Sequence, residues 1–195
     1  MKRLLILLNL PRFLLHFILI RQDKSCQEDF VRWIEILRCG HKACLITFVD
    51  LMFFFPAFRS LVLSRIRVQH RYLSHILACL GKPLPLLEID CNHIDGGLYI
   101  QHGFATIVAP RKIGKNCWIN QNVTIGYTNA TDCPIIGDNV SIGAGAKVLG
   151  KCTVGNNVKI GANCVVVKNV PDNATVVGNP AYIVRLNGER VSIKL

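Results

Sequence analysis

Acidic side chains are scarce in this sequence: twelve Asp and Glu stand against twenty-three Lys and Arg, a formal net charge of +11. The shortage is sharpest in residues 1–82, which hold thirteen basic and five acidic residues. Such a bias suits an anionic membrane surface, a nucleic acid or an acidic partner. Nucleic-acid motifs are missing, as is the interleaving of aromatic and basic residues that single strands require, so no nucleic-acid partner is expected. Also missing is a small-x-small cleavage site after the apolar stretch 4–20, so that stretch does not read as a signal peptide. It is interrupted by Asn9, Pro11, Arg12 and His16, and the apolar stretch 44–62 carries Asp50 and Pro56. A spanning helix needs about 20 mainly apolar residues, so both stretches are expected to form buried or interfacial helices. Any contact with a membrane should be weak, peripheral and released by salt. Cysteine is plentiful but unorganised: the nine are odd in number and none has CxxC spacing. Reduced thiols used as small core residues, and hence a cytoplasmic location, are the expectation. Membrane contact would then be at the inner face. A hydrophobic content of 51% excludes disorder.

What the sequence does have is a period of six. Ile136, Ile142, Val148, Val154, Ile160 and Val166 are six apart without a slip, and Ile113, Ile119 and Ile125 keep the same spacing. Four residues after each beat comes a small or β-branched residue: Cys117, Val123, Val140, Ala146, Cys152, Val158, Cys164 or Val170. Neither a helix nor an ordinary strand has this period. A short strand that turns a corner every six residues, with one aliphatic and one smaller side chain inward, builds a triangular prism stacked along its own axis. The pattern starts weakly near Ile89, passes Ile94 and Ile100, slips by one at Ile107 and ends at 170–173. Between Ile125 and Ile136 the gap is eleven, which extrudes residues 127–134 as a loop, a natural place for function. Before the prism the spacing is helical, with Phe30, Trp33, Ile34 and Leu37 on one face and Pro11 and Pro56 dividing the region into several helices. The fold class is therefore α+β: a helical region 1–85, a hexapeptide solenoid 86–185 and a C-terminal tail 186–195.

Histidine is rare in the prism, where only His93 and His102 occur, so a three-histidine zinc site cannot be assembled there and no metal is expected. His102 comes two residues after the inward Ile100 and is followed at once by Gly103. Four strings, GGLYIQHG at 96–103, KIGKNCWINQNVTIG at 112–126, PIIGDNVSIGAGAKVLG at 134–150 and VKNVPDNATVVGNPAYIV at 167–184, resemble the serine acetyltransferase group of hexapeptide acyltransferases. That group includes related enzymes that acetylate bacterial surface polysaccharides. The resemblance covers residues 86–185, about half of the chain, and extends more loosely to FFPAFR at 54–59. It implies a left-handed β-helix, assembled as a homotrimer or a dimer of trimers, with acetyl-CoA in the grooves between neighbouring prisms.

The implied reaction is direct acetyl transfer from the thioester to a hydroxyl. An alcohol is a poor nucleophile at neutral pH, so a positioned imidazole must take its proton, and His102 occupies the family's base position. In that family an upstream aspartate orients the histidine. Here Glu88 stands at the corresponding position and Asp90 is the nearest aspartate. The resemblance also implies that Ala144 and Ala162 let pantetheine lie against the backbone, and that Lys168 and Arg185 are the cations near the phosphates. A second histidine, which contacts serine in the family, is replaced within Asp132-Cys133-Pro134 by Cys133, a weak donor. The expected acceptor is therefore a sugar hydroxyl of a surface polysaccharide or its precursor. Acetylation of L-serine in cysteine biosynthesis is the alternative, and a non-catalytic scaffold the third reading.

Overall fold

Apolar residues at helical spacing fill the first part of the chain, and the computed structural model, which describes residues 2–38 and 42–195, forms five helices there among the described residues. These are α1 (Lys2–Ile20), α2 (Lys24–Leu37), α3 (Leu45–Phe54), α4 (Pro56–Gln69) and α5 (Arg71–Leu80). They belong to the first of two compact units, Met1–Leu84 and Pro85–Leu195. Asp23 starts α2 by accepting the Cys26 backbone N–H at 2.8 Å, satisfying a donor the helix cannot use internally. Pro56 opens α4 at its first turn, and α3 meets α4 there with a bend of 110°. Pro11 was expected to break the chain, yet α1 runs through it. Pro11 and Leu7, whose carbonyl it leaves without an intrahelical donor, are both exposed, so water can serve that carbonyl. Trp33, Phe30, Phe48 and Phe58 form the centre of the unit, with ring centroids 5.2–6.2 Å apart. A buried fork from Arg65 to Asp29, 2.9 and 3.1 Å long, ties α4 to α2.

In the second unit the period of six becomes a left-handed parallel β-helix of about five turns. Its first face stacks β1 (Leu87–Ile89), β3 (Thr106–Val108), β6 (Thr124–Gly126), β9 (Lys147–Leu149) and β12 (Val165–Val166). The second stacks β4 (Lys112–Ile113), β7 (Ile135–Ile136) and β10 (Thr153–Val154), and is extended by bridges at Ile94 and Val170. The third stacks β2 (Tyr99–Ile100), β5 (Trp118–Ile119), β8 (Ser141–Ile142), β11 (Lys159–Ile160) and β13 (Ala174–Val177). From Ile113 to Val170, every inward position given by the period is at most 3% exposed. Cys117, Cys152 and Cys164 are among them, and burial raises all three thiols above the ordinary cysteine range, Cys117 to about 12. Corners are turned by asparagines in the left-handed region, where their short polar side chains are tolerated. Along one corner they join amide to amide, Asn139 to Asn157 at 3.1 Å, Asn157 to Asn173 at 2.9 Å and Asn173 to Asn187 at 3.1 Å.

Two details differ from the sequence reading. Ile107 is not an inward beat: it is exposed, and Val108 and Thr106 are the buried pair. Eight residues separate Ile100 from Val108 instead of six, so the corner that carries His102 is two residues longer than those at Ile119–Ile125, Ile142–Val148 and Ile160–Val166. Residues 186–195, read as a tail, largely form β15 (Glu189–Lys194), which pairs antiparallel with β14 (Tyr182–Leu186) on the edge of the third face. Asn187 and Gly188, both at positive φ, make the tight turn between them.

Candidate active site

The lengthened corner between the third and first faces displays His102. Its φ is 62°, and the Gly103 N–H donates to the Gln101 carbonyl at 2.8 Å, so the histidine is the centre of a three-residue turn of the rare, strained, positive-φ kind. A similar short turn joins the Cys152 N–H to the Gly150 carbonyl at 2.8 Å, but Lys151 at its centre is not at positive φ. The strain thus falls on the exposed histidine. Among the described residues its imidazole makes no side-chain hydrogen bond or ion pair.

Beside it, Gln101 is held. The Trp118 indole N–H donates to the Gln101 amide oxygen at 3.2 Å and lies 3.4 Å from the Asn120 amide oxygen, while the Trp118 ring packs edge-on against Tyr99 at 4.7 Å. With its oxygen so engaged, the Gln101 amide nitrogen is left as a donor next to His102. The sequence reading missed this trio. Its signal was a tryptophan on an outward position one coil below the histidine's turn.

Below His102 the same corner passes through Gln121 and Asn122, then narrows to small residues at Ala144 and Gly145 and again at Ala162, which Asn163 follows. A methyl group on Gly143 would come within 2.7 Å of the Ala162 backbone nitrogen, so two successive coils approach each other here at backbone distance. Ala162 is exposed and Ala144 half-buried. The column can therefore receive a thin ligand against the main chain. Arg185 lies on β14, in register with Thr175 on one side and Arg190 on the other, and is exposed.

The remaining candidates lie elsewhere. Glu88 is central in β1 on the first face, opposite Ile107, whereas Asp90 follows β1 at the corner between the first and second faces. Lys168 and the loop 127–134 occupy that same far corner. The loop is self-supporting: the Asp132 carboxylate accepts from the Thr128 hydroxyl, from the Thr128 and Asn129 backbone N–H groups at 2.8 and 2.9 Å, and from the Asn129 amide at 3.0 Å. The hydrogen bond from the Thr128 hydroxyl, followed by those from backbone N–H groups, holds Asp132 below the usual carboxylate range. Cys133 is buried, with Tyr127 against it. The charge the Cys133 sulfur would carry, and then its hydrogen bond, raise the Tyr127 phenol above its ordinary value. One chain therefore gathers His102, Ala144 and Ala162 on one corner and Lys168, Asp132 and Cys133 on another. Among the described residues no group of three or more His, Cys, Asp and Glu is placed to hold a metal.

The bacterial transferase hexapeptide family, of six repeats, matches residues 133–168. A serine acetyltransferase of Synechococcus elongatus is 35% identical over 153 residues, which are 73% of this chain and 63% of the relative. One of Staphylococcus xylosus is 48% identical over 98 residues, 48% of this chain and 45% of the relative. Among solved structures, the serine acetyltransferase of Neisseria gonorrhoeae in complex with serine is 31% identical with a TM-score of 0.63, covering 83% of this chain and 68% of that one. The chain belongs to the serine acetyltransferase family. It spans 63% and 45% of the lengths of the two curated relatives.

Membership of the serine acetyltransferase family corrects the acceptor expected from the sequence. Relatives up to 48% identical are named serine acetyltransferases, which favours L-serine over a polysaccharide sugar. The sugar reading rested on Cys133, a weak donor, standing in place of the family's serine-contacting histidine, and that thiol is buried beside Tyr127 in its own loop.

Proposed function

We propose that the chain is an acetyl-CoA-dependent serine O-acetyltransferase of cysteine biosynthesis, acting in the cytoplasm, with His102 as general base. The observation that carries this reading is the lengthened corner, which raises an exposed, strained histidine above a column of glycine and alanine main chain. Acetyl-CoA is a substrate here, and the column from Ala144 to Ala162 suits its pantetheine arm. As the serine hydroxyl oxygen bonds to the acetyl carbon, His102 accepts the hydroxyl proton. The carbon–sulfur bond then breaks, and the proton leaves with the coenzyme A thiolate. Glu88 is favoured over Asp90 as the carboxylate that orients His102, because β1 runs away from the histidine's corner and places Glu88 two residues nearer to it.

Lys168 and the 127–134 loop lie on the opposite corner of the first face from His102. For them to reach the same substrate, a neighbouring copy must bring that corner alongside, and a closed trimer of prisms does so three times. Arg185 and the neighbour's copy of Lys168 are then the cations for the coenzyme phosphates. The test is thiol release from acetyl-CoA on addition of L-serine, with O-acetylserine identified by mass. A kcat/KM above about 10⁴ M⁻¹s⁻¹, the lower range for natural substrates, is expected. Acetyl-CoA binding without serine-dependent thiol release would contradict the reading.

A further inference from the structure

Helix α1 is apolar on two opposite faces, and only one of them is used within its unit. Ile6, Phe13, His16 and Ile20 are buried, in a face that packs chiefly on α3. On the other side Leu4, Leu7, Leu8, Leu14, Leu15 and Ile18 are all exposed, Leu8 to 68%. At 3.6 residues per turn these six fall within an arc of about 120° and form one stripe about 21 Å long. A helix on the surface of a globular unit ordinarily turns polar residues outward, and a continuous exposed apolar patch marks an interaction surface. Only 22% of Arg3–Ile20, which is long and apolar enough to cross a membrane, is buried. The packed face nevertheless anchors α1 in the helical unit, so the stripe is presented sideways.

Charge selects the occupant. Arg3 and Arg21 border the stripe on one side and Arg12 on the other, and Lys2–Ile20 contains no acidic residue. Arg12 is engaged with the Leu80 carbonyl, whereas Arg3 and Arg21 are exposed. A second copy laid on this face would bring its own arginines against these, within a region that carries eight surplus positive charges, and like-charge juxtaposition disfavours that pairing. An anionic bilayer offers the complement to both parts, acyl chains to the leucines and headgroups to the arginines. We propose that the outward stripe of α1 docks the chain on an anionic lipid surface, with the helix lying in the interface and not spanning it. This inference concerns the helical unit alone and does not rest on the reaction proposed for the prism.

Flotation of the full chain with vesicles tests it, using phosphatidylcholine alone and phosphatidylcholine with 30% phosphatidylglycerol, in about 0.1 M and about 1 M salt, where the Debye lengths are about 10 and 3 Å. The wild type should float with the anionic vesicles at low salt, and much less with neutral vesicles or at high salt. Leu8→Glu with Leu15→Glu should lower the bound fraction at least about tenfold. Arg3→Glu with Arg21→Glu should remove the preference for anionic lipid. Circular dichroism melts and sedimentation of each variant should match the wild type, since all four side chains are exposed. The proposal is overturned if the wild type stays in the aqueous fraction, or if Leu8→Glu with Leu15→Glu floats as well as wild type. It is equally overturned if that variant instead dissociates an oligomer, which would make a second copy the occupant.

Discussion

His16 is the side chain least accommodated by the helical unit. It is fully buried, and among the described residues neither ring nitrogen has a hydrogen-bond partner of good geometry, although the Leu77 carbonyl lies close enough to favour its charged form. Burial above all, with added repulsion from Arg12 and Arg59, lowers its pKa from 6.5 to about 4. Above pH 6.5 the residue is neutral in both folded and unfolded chains, and the fold keeps its full stability. As pH falls from 6.5 towards 4 the unfolded chain binds the proton first, so stability is lost, by on the order of 3 kcal/mol in all. Across this window the denaturant midpoint of the wild type should fall relative to that of His16→Leu as pH falls, because only the wild type carries the titrating group. Parallel curves would show that His16 does not titrate as its burial requires. The sequence placed His16 only as an interruption of an apolar run, because nothing in residue order says that α5 closes over it. His102 was more legible, since its neighbours Gln101 and Gly103 form part of a recognisable string, but the strained turn beneath it was not.

At the scale of the element, one coil of the prism separates inward from outward positions within five residues. Val158 is fully buried, and Ala162 is exposed on the corner below His102. Val158→Asp should destabilise the prism by about 4 kcal/mol or more, by burying an unpaired charge, and should be visible as loss of the native sedimentation species. Ala162→Trp should leave folding intact and weaken acetyl-CoA binding. Unfolding by Ala162→Trp, with Val158→Asp still folded, would reverse the assignment of faces. These positions were readable from the sequence because the period of six repeats both the aliphatic and the small inward residue, each fixing the other's register. The period failed at Ile107, where two extra residues lengthen the His102 corner and Val108 takes the inward place. It also gave no hint of β15, although Asn187-Gly188 between extended segments is a strong hairpin signal. Pro11 misled in the opposite direction, because a helix keeps a proline where the freed carbonyl meets water.

Over the whole molecule, the candidate residues lie on two corners of the prism, and the proposed function has neighbouring copies share each site. If each site draws His102 from one copy and the 127–134 loop from its neighbour, two inactive variants can rescue each other. Mixing and reassembling His102→Ala with a variant whose loop residues 128–132 are replaced by glycines should return about a quarter of wild-type activity, since half the sites receive an intact histidine and half of those an intact loop. No rescue, with mixed trimers demonstrated, would place the site within one chain. The most direct test of the proposed chemistry is the turnover of His102→Ala with L-serine, measured beside its affinity for acetyl-CoA by calorimetry. A fall in kcat of about 10²–10⁴-fold, with the acetyl-CoA Kd nearly unchanged, is the expected result for loss of a positioned base. A kcat close to wild type would contradict the assignment of His102 and, with it, the reading of the lengthened corner as the centre of the reaction.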